Sequence, residues 1–211
     1  SLSAMVQLRL ARPLGMAPGE RFVIRAGVAG LAGGRVTTIG GGRVLGLSNV
    51  RLRRGRPWTL ASLAARGEAI DSPPDWCALN LKQAARAMSV EELARQVLMH
   101  PAEAASMVER LCADGLVVRM AGGDFVHRDV AADAGRQIVE TLEQFHAANP
   151  MRVGIEEDEL PGQIGLEAGV FEIALAKLAD DGVIERRGSV IALAGRQAQI
   201  SPADQKLCQL V

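Results

Sequence analysis

Arginine is the residue type in this chain with the most chemistry to offer. The first 56 residues hold ten arginines against one carboxylate, Glu20, a balance of +9. Residues 57–211 hold fourteen Lys plus Arg against twenty-three Asp plus Glu, a balance of −9, so the formal net charge of zero hides two kinds of surface. Guanidinium groups pair well with phosphate oxygens, and phosphate contacts supply most of a protein's affinity for nucleic acid. The densest cluster, Arg51, Arg53, Arg54 and Arg56, is the main RNA-phosphate candidate, with Arg186 and Arg187 as a second, smaller pair. A solvated linker, or a bridge to the acidic half, accounts equally well for the four clustered arginines.

Other chemistries are poorly served. Gly40-Gly41-Gly42 invites a phosphate-loop reading, but such a loop needs a helix N-terminus after its glycines, or a Lys-Ser/Thr pair. Arg43-Val44-Leu45 follows instead, so the glycines are expected to serve a bulge or a close crossing within a sheet. His100, His127 and His146 have no carboxylate or cysteine at metal-ligand spacing. Cys77, Cys112 and Cys208 are odd in number and far apart, as expected of reduced, buried thiols. The run Glu156-Glu157-Asp158-Glu159 is expected to open a helix, where the macrodipole favours carboxylates. No catalytic, cofactor-binding or metal-binding residue is assigned. No apolar run reaches about 18 residues and no leader opens the chain, so a soluble, cytoplasmic protein without membrane spans is expected.

The elements that would carry these residues are organised by a repeat. Glu92-Leu93 returns 67 residues later as Glu159-Leu160, Leu111 as Leu178, Asp114-Gly115 as Asp181-Gly182, and Arg119 as Arg186. Each copy reads as a short acidic-capped helix, a longer amphipathic helix stopped at Asp-Gly, and two short apolar strands around a turn. That order describes a winged helix-turn-helix module. In the first copy Ser89-Val90-Glu91-Glu92 fits a capping box. A helix follows over 101–114, and the wing pairs 116–120 with 125–127. Asp129 is expected to cap a long helix ending near Asn149-Pro150. In the second copy helices are expected over 156–164 and 167–181, with a wing pairing 183–184 and 190–193.

Ahead of the repeat the pattern is β. Val6, Leu8 and Leu10 alternate with polar residues, Arg21 to Arg25 gives a second strand, and shorter strands are expected at Val36 to Ile39 and Arg43 to Leu45. So few strands cannot bury two faces, so a domain fragment cut on its N-terminal side is expected. A basic linker, a helix over 58–70, a break at Ser72-Pro73-Pro74 and a helix over 77–88 come next. After the second copy, Ser201-Pro202-Ala203-Asp204 is a clean helix start. The expected organisation is an α+β chain: 1–50 β-barrel segment, 51–57 linker, 58–128 first winged helix, 129–197 second, 198–211 the start of a third.

The longer helix of each copy has the wrong sign for reading nucleic acid. One offers Arg110 against Glu103, Glu109 and Asp114; the other offers Lys177 against Glu167, Glu172, Asp180 and Asp181. The modules therefore read as spacers or protein-contact units. A tandem winged-helix transcriptional regulator binding DNA, and a protein-only scaffold docking the ribosome, are the rival readings.

The stretch Pro18-Gly19-Glu20-Arg21-Phe22-Val23-Ile24-Arg25, followed by Thr38-Ile39-Gly40-Gly41-Gly42-Arg43-Val44-Leu45, resembles the end of the third, EF-Tu-like β-barrel domain of bacterial selenocysteine-specific elongation factors (SelB). Phe145-His146-Ala147-Ala148-Asn149-Pro150-Met151-Arg152 resembles the signature opening their second winged helix. Two departures stand out: the glycine-rich Ala26 to Gly34 replaces an acidic Ser-Pro loop, and Gly46 replaces an Asp. The resemblance implies a factor that uses GTP to deliver selenocysteyl-tRNA to the ribosome at recoded UGA codons, guided by an mRNA hairpin. No GxxxxGK[ST] loop occurs, so GTP and Mg2+ are expected in a domain upstream, and this segment is expected to be a non-catalytic connector. Unpaired barrel strands over residues 5–47 are also expected to allow a homodimer.

Overall fold

An antiparallel hairpin comes first in the computed structural model, which describes residues 4–27, 36–48, 50–53 and 55–196. Strands β1 (Arg21–Gly27) and β2 (Val36–Arg43) pair from Arg21 with Arg43 to Gly27 with Val36, with a register slip at Ile24/Arg25. The slip falls where Ile24 faces Gly40 and Arg25 faces Thr38, which leaves Ile39 as the extra, bulged residue. The triple glycine lies inside β2, so the two short strands expected there are one. A Cβ on Gly41 would lie 2.6 Å from the Phe22 carbonyl oxygen, and one on Gly42 would lie 2.9 Å from Cζ of the Phe22 ring. These glycines are needed for a close strand crossing, in keeping with the sheet reading of that motif.

The alternating Val6, Leu8 and Leu10 do not form a strand, and all three are exposed. Period-2 hydrophobicity makes a strand only where a neighbour supplies the ladder. Here Gln7 supplies a local substitute: its side-chain amide donates to the Val50 carbonyl at 2.8 Å and accepts from the Leu52 N–H at 2.9 Å.

The chain divides into two units, Ser1–Asn80 with Glu91–Val108, and Leu81–Val90 with Glu109–Val211. In the first, α1 (Pro57–Ala69) begins with proline at its first turn, where the missing N–H costs nothing. α2 (Pro73–Ala84) likewise starts at the two prolines expected to break the chain, and Trp76 N–H donates to the Ser72 carbonyl at 2.8 Å. α3 (Val90–Val97) ends at Leu98, which adopts φ +56°, and Met99 N–H closes back to the Ala94 carbonyl at 2.9 Å. This is a Schellman stop made without glycine. Cys77, Leu93, Val97 and Val108 are buried.

The second unit carries the better defined core. The end of α4 (Pro101–Ala113) leads through Gly115 at φ +68° into β3 (Val117–Arg119) and β4 (Phe125–His127). Met88 exchanges two backbone hydrogen bonds of 2.9 Å with Phe125, adding a third strand-like segment to that pair. α5 (Arg128–Ala148) then buries Ile138 and Leu142 against Phe171 and Leu175 of α7 (Ala168–Asp180). A three-stranded sheet closes the unit, in the order β5 (Ile155–Glu156), β7 (Val190–Leu193), β6 (Ile184–Arg187).

Two expectations fail here for instructive reasons. The α5 cap is His127, whose ring Nδ1 accepts from Asp129 N–H at 3.1 Å, while the Asp129 carboxylate pairs with Lys82 at 2.6 Å. The acidic run does not open a helix at Glu156. Ile155 and Glu156 pair with Ile191 and Val190, and α6 (Leu160–Ile164) starts only after the run ends. Burying Ile155 in the sheet outweighs the weak helix preference of exposed carboxylates.

Candidate nucleic-acid interface

The six phosphate candidates fall into two differently furnished places. Arg51, Arg53 and Arg56 are exposed, and none of them makes an ion pair among the described residues. Arg54 lies outside the described residues. Arg56 is the residue before α1, and its guanidinium lies over the Trp58 ring, 4.7 Å from the centroid. A guanidinium stacked on an aromatic face keeps its edge N–H groups available to oxygen acceptors.

Arg186 and Arg187 sit on β6, beside carboxylates. Arg186 pairs with Glu157 at 3.0 Å, and Arg187 pairs with Glu185 at 2.8 Å. Glu185 also accepts from Gly195 N–H at 3.0 Å; that bond, with the Arg187 pair, holds its carboxyl below the ordinary range. The wing charge is thus balanced locally, which sequence proximity alone did not reveal. The structure brings Arg186 and Arg187 together on one strand but leaves both engaged.

The longer helices are balanced in the same way. On α4, Arg110 approaches Asp114 at 3.9 Å, while Glu109 pairs with Arg119 of β3. At the end of α7, Lys177 reaches Asp181 at 3.1 Å. A helix that reads a groove presents unmatched cations to phosphates; neither of these does.

A polar corner that the sequence reading passed over lies at the C-terminal end of α5. His146 is only 6% exposed, and its Nε2 donates to the Val153 carbonyl at 3.0 Å. Burial pushes its pKa down, only partly offset by that bond. Arg196 Nη2 donates to the carbonyls of His146 at 3.4 Å and Pro150 at 3.2 Å. Nearby, Arg152 lies over the Phe145 ring, 5.3 Å from its centroid. A lone histidine inside a helical pattern gave no signal of this corner; the arginine that completes it is 50 residues away.

Among the described residues no group of three or more His, Cys, Asp and Glu is placed to hold a metal ion, and no helix is long and apolar enough to cross a membrane.

Residues 139–193 match the family described as elongation factor SelB, winged helix. None of the curated proteins matches. Among solved structures, the mRNA-binding domain of elongation factor SelB from E. coli in complex with SECIS RNA is similar at 11% identity and a TM-score of 0.38, over 56% of this chain and 97% of that one. That likeness is too slight to carry an argument. The family match favours the elongation-factor reading over the DNA-binding regulator and the protein-only scaffold. It falls on the segment where α5 turns into the β5–β7–β6 sheet, so residues 139–193 are similar to the winged helix of elongation factor SelB.

Proposed function

We propose that this chain is the connecting middle of such a factor, joining a GTP- and tRNA-binding body to an mRNA-hairpin-binding tip. The SelB winged-helix match over 139–193 carries the reading. In this view residues 1–50 are the last part of an EF-Tu-like barrel, 51–57 a linker, 58–128 and 129–197 tandem winged helices, and 198–211, which lie outside the described residues, the start of a third. The segment acts without catalysis in the cytoplasm; GTP and Mg2+ belong to a domain upstream, and the ribosome, selenocysteyl-tRNA and the hairpin are partners of the whole factor.

The RNA-facing side is the arginine-rich head. Arg51, Arg53, Arg54 and Arg56 meet phosphate, with Arg186 and Arg187 as subsidiary contacts. Exposed Arg51 and Arg53 support this, as do the paired cations of α4 and α7. Titrating the chain with a labelled tRNA between 50 and 200 mM salt tests it. Each phosphate contact removed by Arg→Gln at 51, 53 or 56 lowers the log–log salt slope by about 0.7–0.9. An unchanged slope in the triple variant refutes the assignment.

The head also offers a surface for self-association. Val23, Val36 and Ile39 of the hairpin are each 60% or more exposed. A homodimer joined through residues 5–47 would cover them, and light scattering that gives a monomer at high concentration would refute it.

A further inference from the structure

The chain has two tryptophans, both in the first unit, and they are treated in opposite ways. Trp76 is 7% exposed, whereas Trp58 is 61% exposed. Trp58 lies in the first turn of α1, two residues after Arg56, whose guanidinium carbon is 4.7 Å from the indole centroid. Most of the residue therefore faces solvent even with a guanidinium laid over the ring. An indole is largely apolar surface, and folding normally takes such surface out of water. One held open beside a cation is placed to meet a partner.

Its surroundings say which partner. No carboxylate occurs anywhere from Arg21 to Gly67. Arg51, Arg53 and Arg56 are exposed without an ion pair among the described residues, and the first turn of α1 holds no acid. Beyond Trp58 and Leu60, the exposed positions of α1 are Ala61, Ala64 and only then Glu68, about 15 Å further along the axis than Trp58. Small alanines and unmatched cations offer a protein partner little apolar area to cover. They suit a chain that carries both phosphates and flat π surfaces. Bases inside a duplex are covered on both faces by their neighbours, so a base that meets this indole belongs to an unpaired strand.

We propose that Trp58 stacks on an unpaired base of an RNA strand, while Arg56 beside it takes an adjoining phosphate. The proposal rests on the RNA reading above and deepens it. Arginines alone accept any phosphate-rich surface; the indole selects single-stranded segments. Every base has a π face, so the contact ignores sequence and reports only that the strand is open.

The test titrates the full chain with an RNA hexamer of alternating cytidine and adenosine, and with an abasic hexamer of the same sugar–phosphate chain. Binding is followed by fluorescence anisotropy, and the two indole N–H signals by NMR. The expected result is a shift of the Trp58 signal with the base-bearing hexamer alone, while the buried Trp76 signal stays in place. Trp58→Ala weakens that hexamer by about 5- to 150-fold, the range of one stacked base, and Trp58→Phe restores part of the loss. Both variants keep the salt slope, the abasic affinity and the Trp76 signal, which reports an intact fold. If the two hexamers bind parent and Trp58→Ala alike, the stacking assignment is overturned and the arginine–phosphate reading survives. If a tRNA binds but the hexamer does not, the arginines serve a paired stem and the proposal is wrong. If neither binds, both readings fall.

Discussion

Gly154→Ala is expected to open the sheet of the second unit. A Cβ at that position would lie 2.1 Å from the Ile191 carbonyl oxygen and 2.8 Å from Val190 Cγ1. Both obstacles belong to β7, whose pairing with Ile155 and Glu156 starts at the next residue. Backbone cannot yield as a side-chain tip can, so the chain must either bear the overlap or release β5. Overpacking costs about 1–3 kcal/mol, and uncovering Ile155, which is 1% exposed, costs about 1.5–3 kcal/mol. These are alternative routes of relief, so a loss of roughly 2–4 kcal/mol is expected when the lesser is combined with a weakened ladder. Two controls bracket it. Gly182→Ala, at φ +68° with open space around it, is expected to lose about 1 kcal/mol from backbone strain alone. Gly162→Ala, within α6 and free of neighbours, is expected to gain about 0.5–1 kcal/mol. Urea unfolding followed by far-ultraviolet circular dichroism ranks the three. A Gly154→Ala protein within about 1 kcal/mol of the parent, or ranked above Gly182→Ala, refutes the steric argument.

Leu98→Gly is expected to stabilise the chain by about 0.5–1 kcal/mol, because an exposed leucine now holds the left-handed stop of α3; an unchanged or lower urea midpoint contradicts this. His127 and His146 both have pKa values pushed below the usual histidine range, chiefly by burial. The unfolded chain therefore binds more protons, so the stability these rings confer is full above about pH 6.5 and is lost as pH falls through their folded values. His127→Asn keeps a capping acceptor for Asp129 N–H and is expected to flatten the pH dependence below about pH 6.5; an unchanged slope in urea titrations counts against it. Cys77 is buried and its thiol is pushed up to about 11, so a disulfide reagent at pH 8 is expected to modify it only after unfolding, and rapid labelling of the native chain refutes its placement.

The repeat was the most legible part of the sequence, because it combines several weak signals at one offset. Gly115 and Gly182 both adopt φ +68°, and Arg119 and Arg186 both fall on the strand that follows. Helices α1, α4, α5 and α7 were readable from their apolar spacing. The short strands were not. Met88 and Ile155 stand at the same 67-residue offset, and each pairs with its wing, yet one or two residues cannot display a period of two. Nor could the sequence show that Val6, Leu8 and Leu10 lack a ladder, since alternation says nothing of neighbours. The candidate arginines were found by composition, but whether each is engaged depends on carboxylates brought close by folding, as Glu157 is to Arg186. The His146–Arg196 corner was illegible for the same reason: its two halves meet only in three dimensions.

The carboxylates beside Arg186 and Arg187 change what binding at the wing would look like in a salt titration. A phosphate arriving there displaces Glu157 or Glu185, and the freed carboxylate gathers a cation of its own. Ion release from the nucleic acid is then partly cancelled by ion uptake on the protein. Counting wing contacts from a salt exponent would undercount them, and replacing Glu185 by glutamine would steepen the exponent without adding a single new contact.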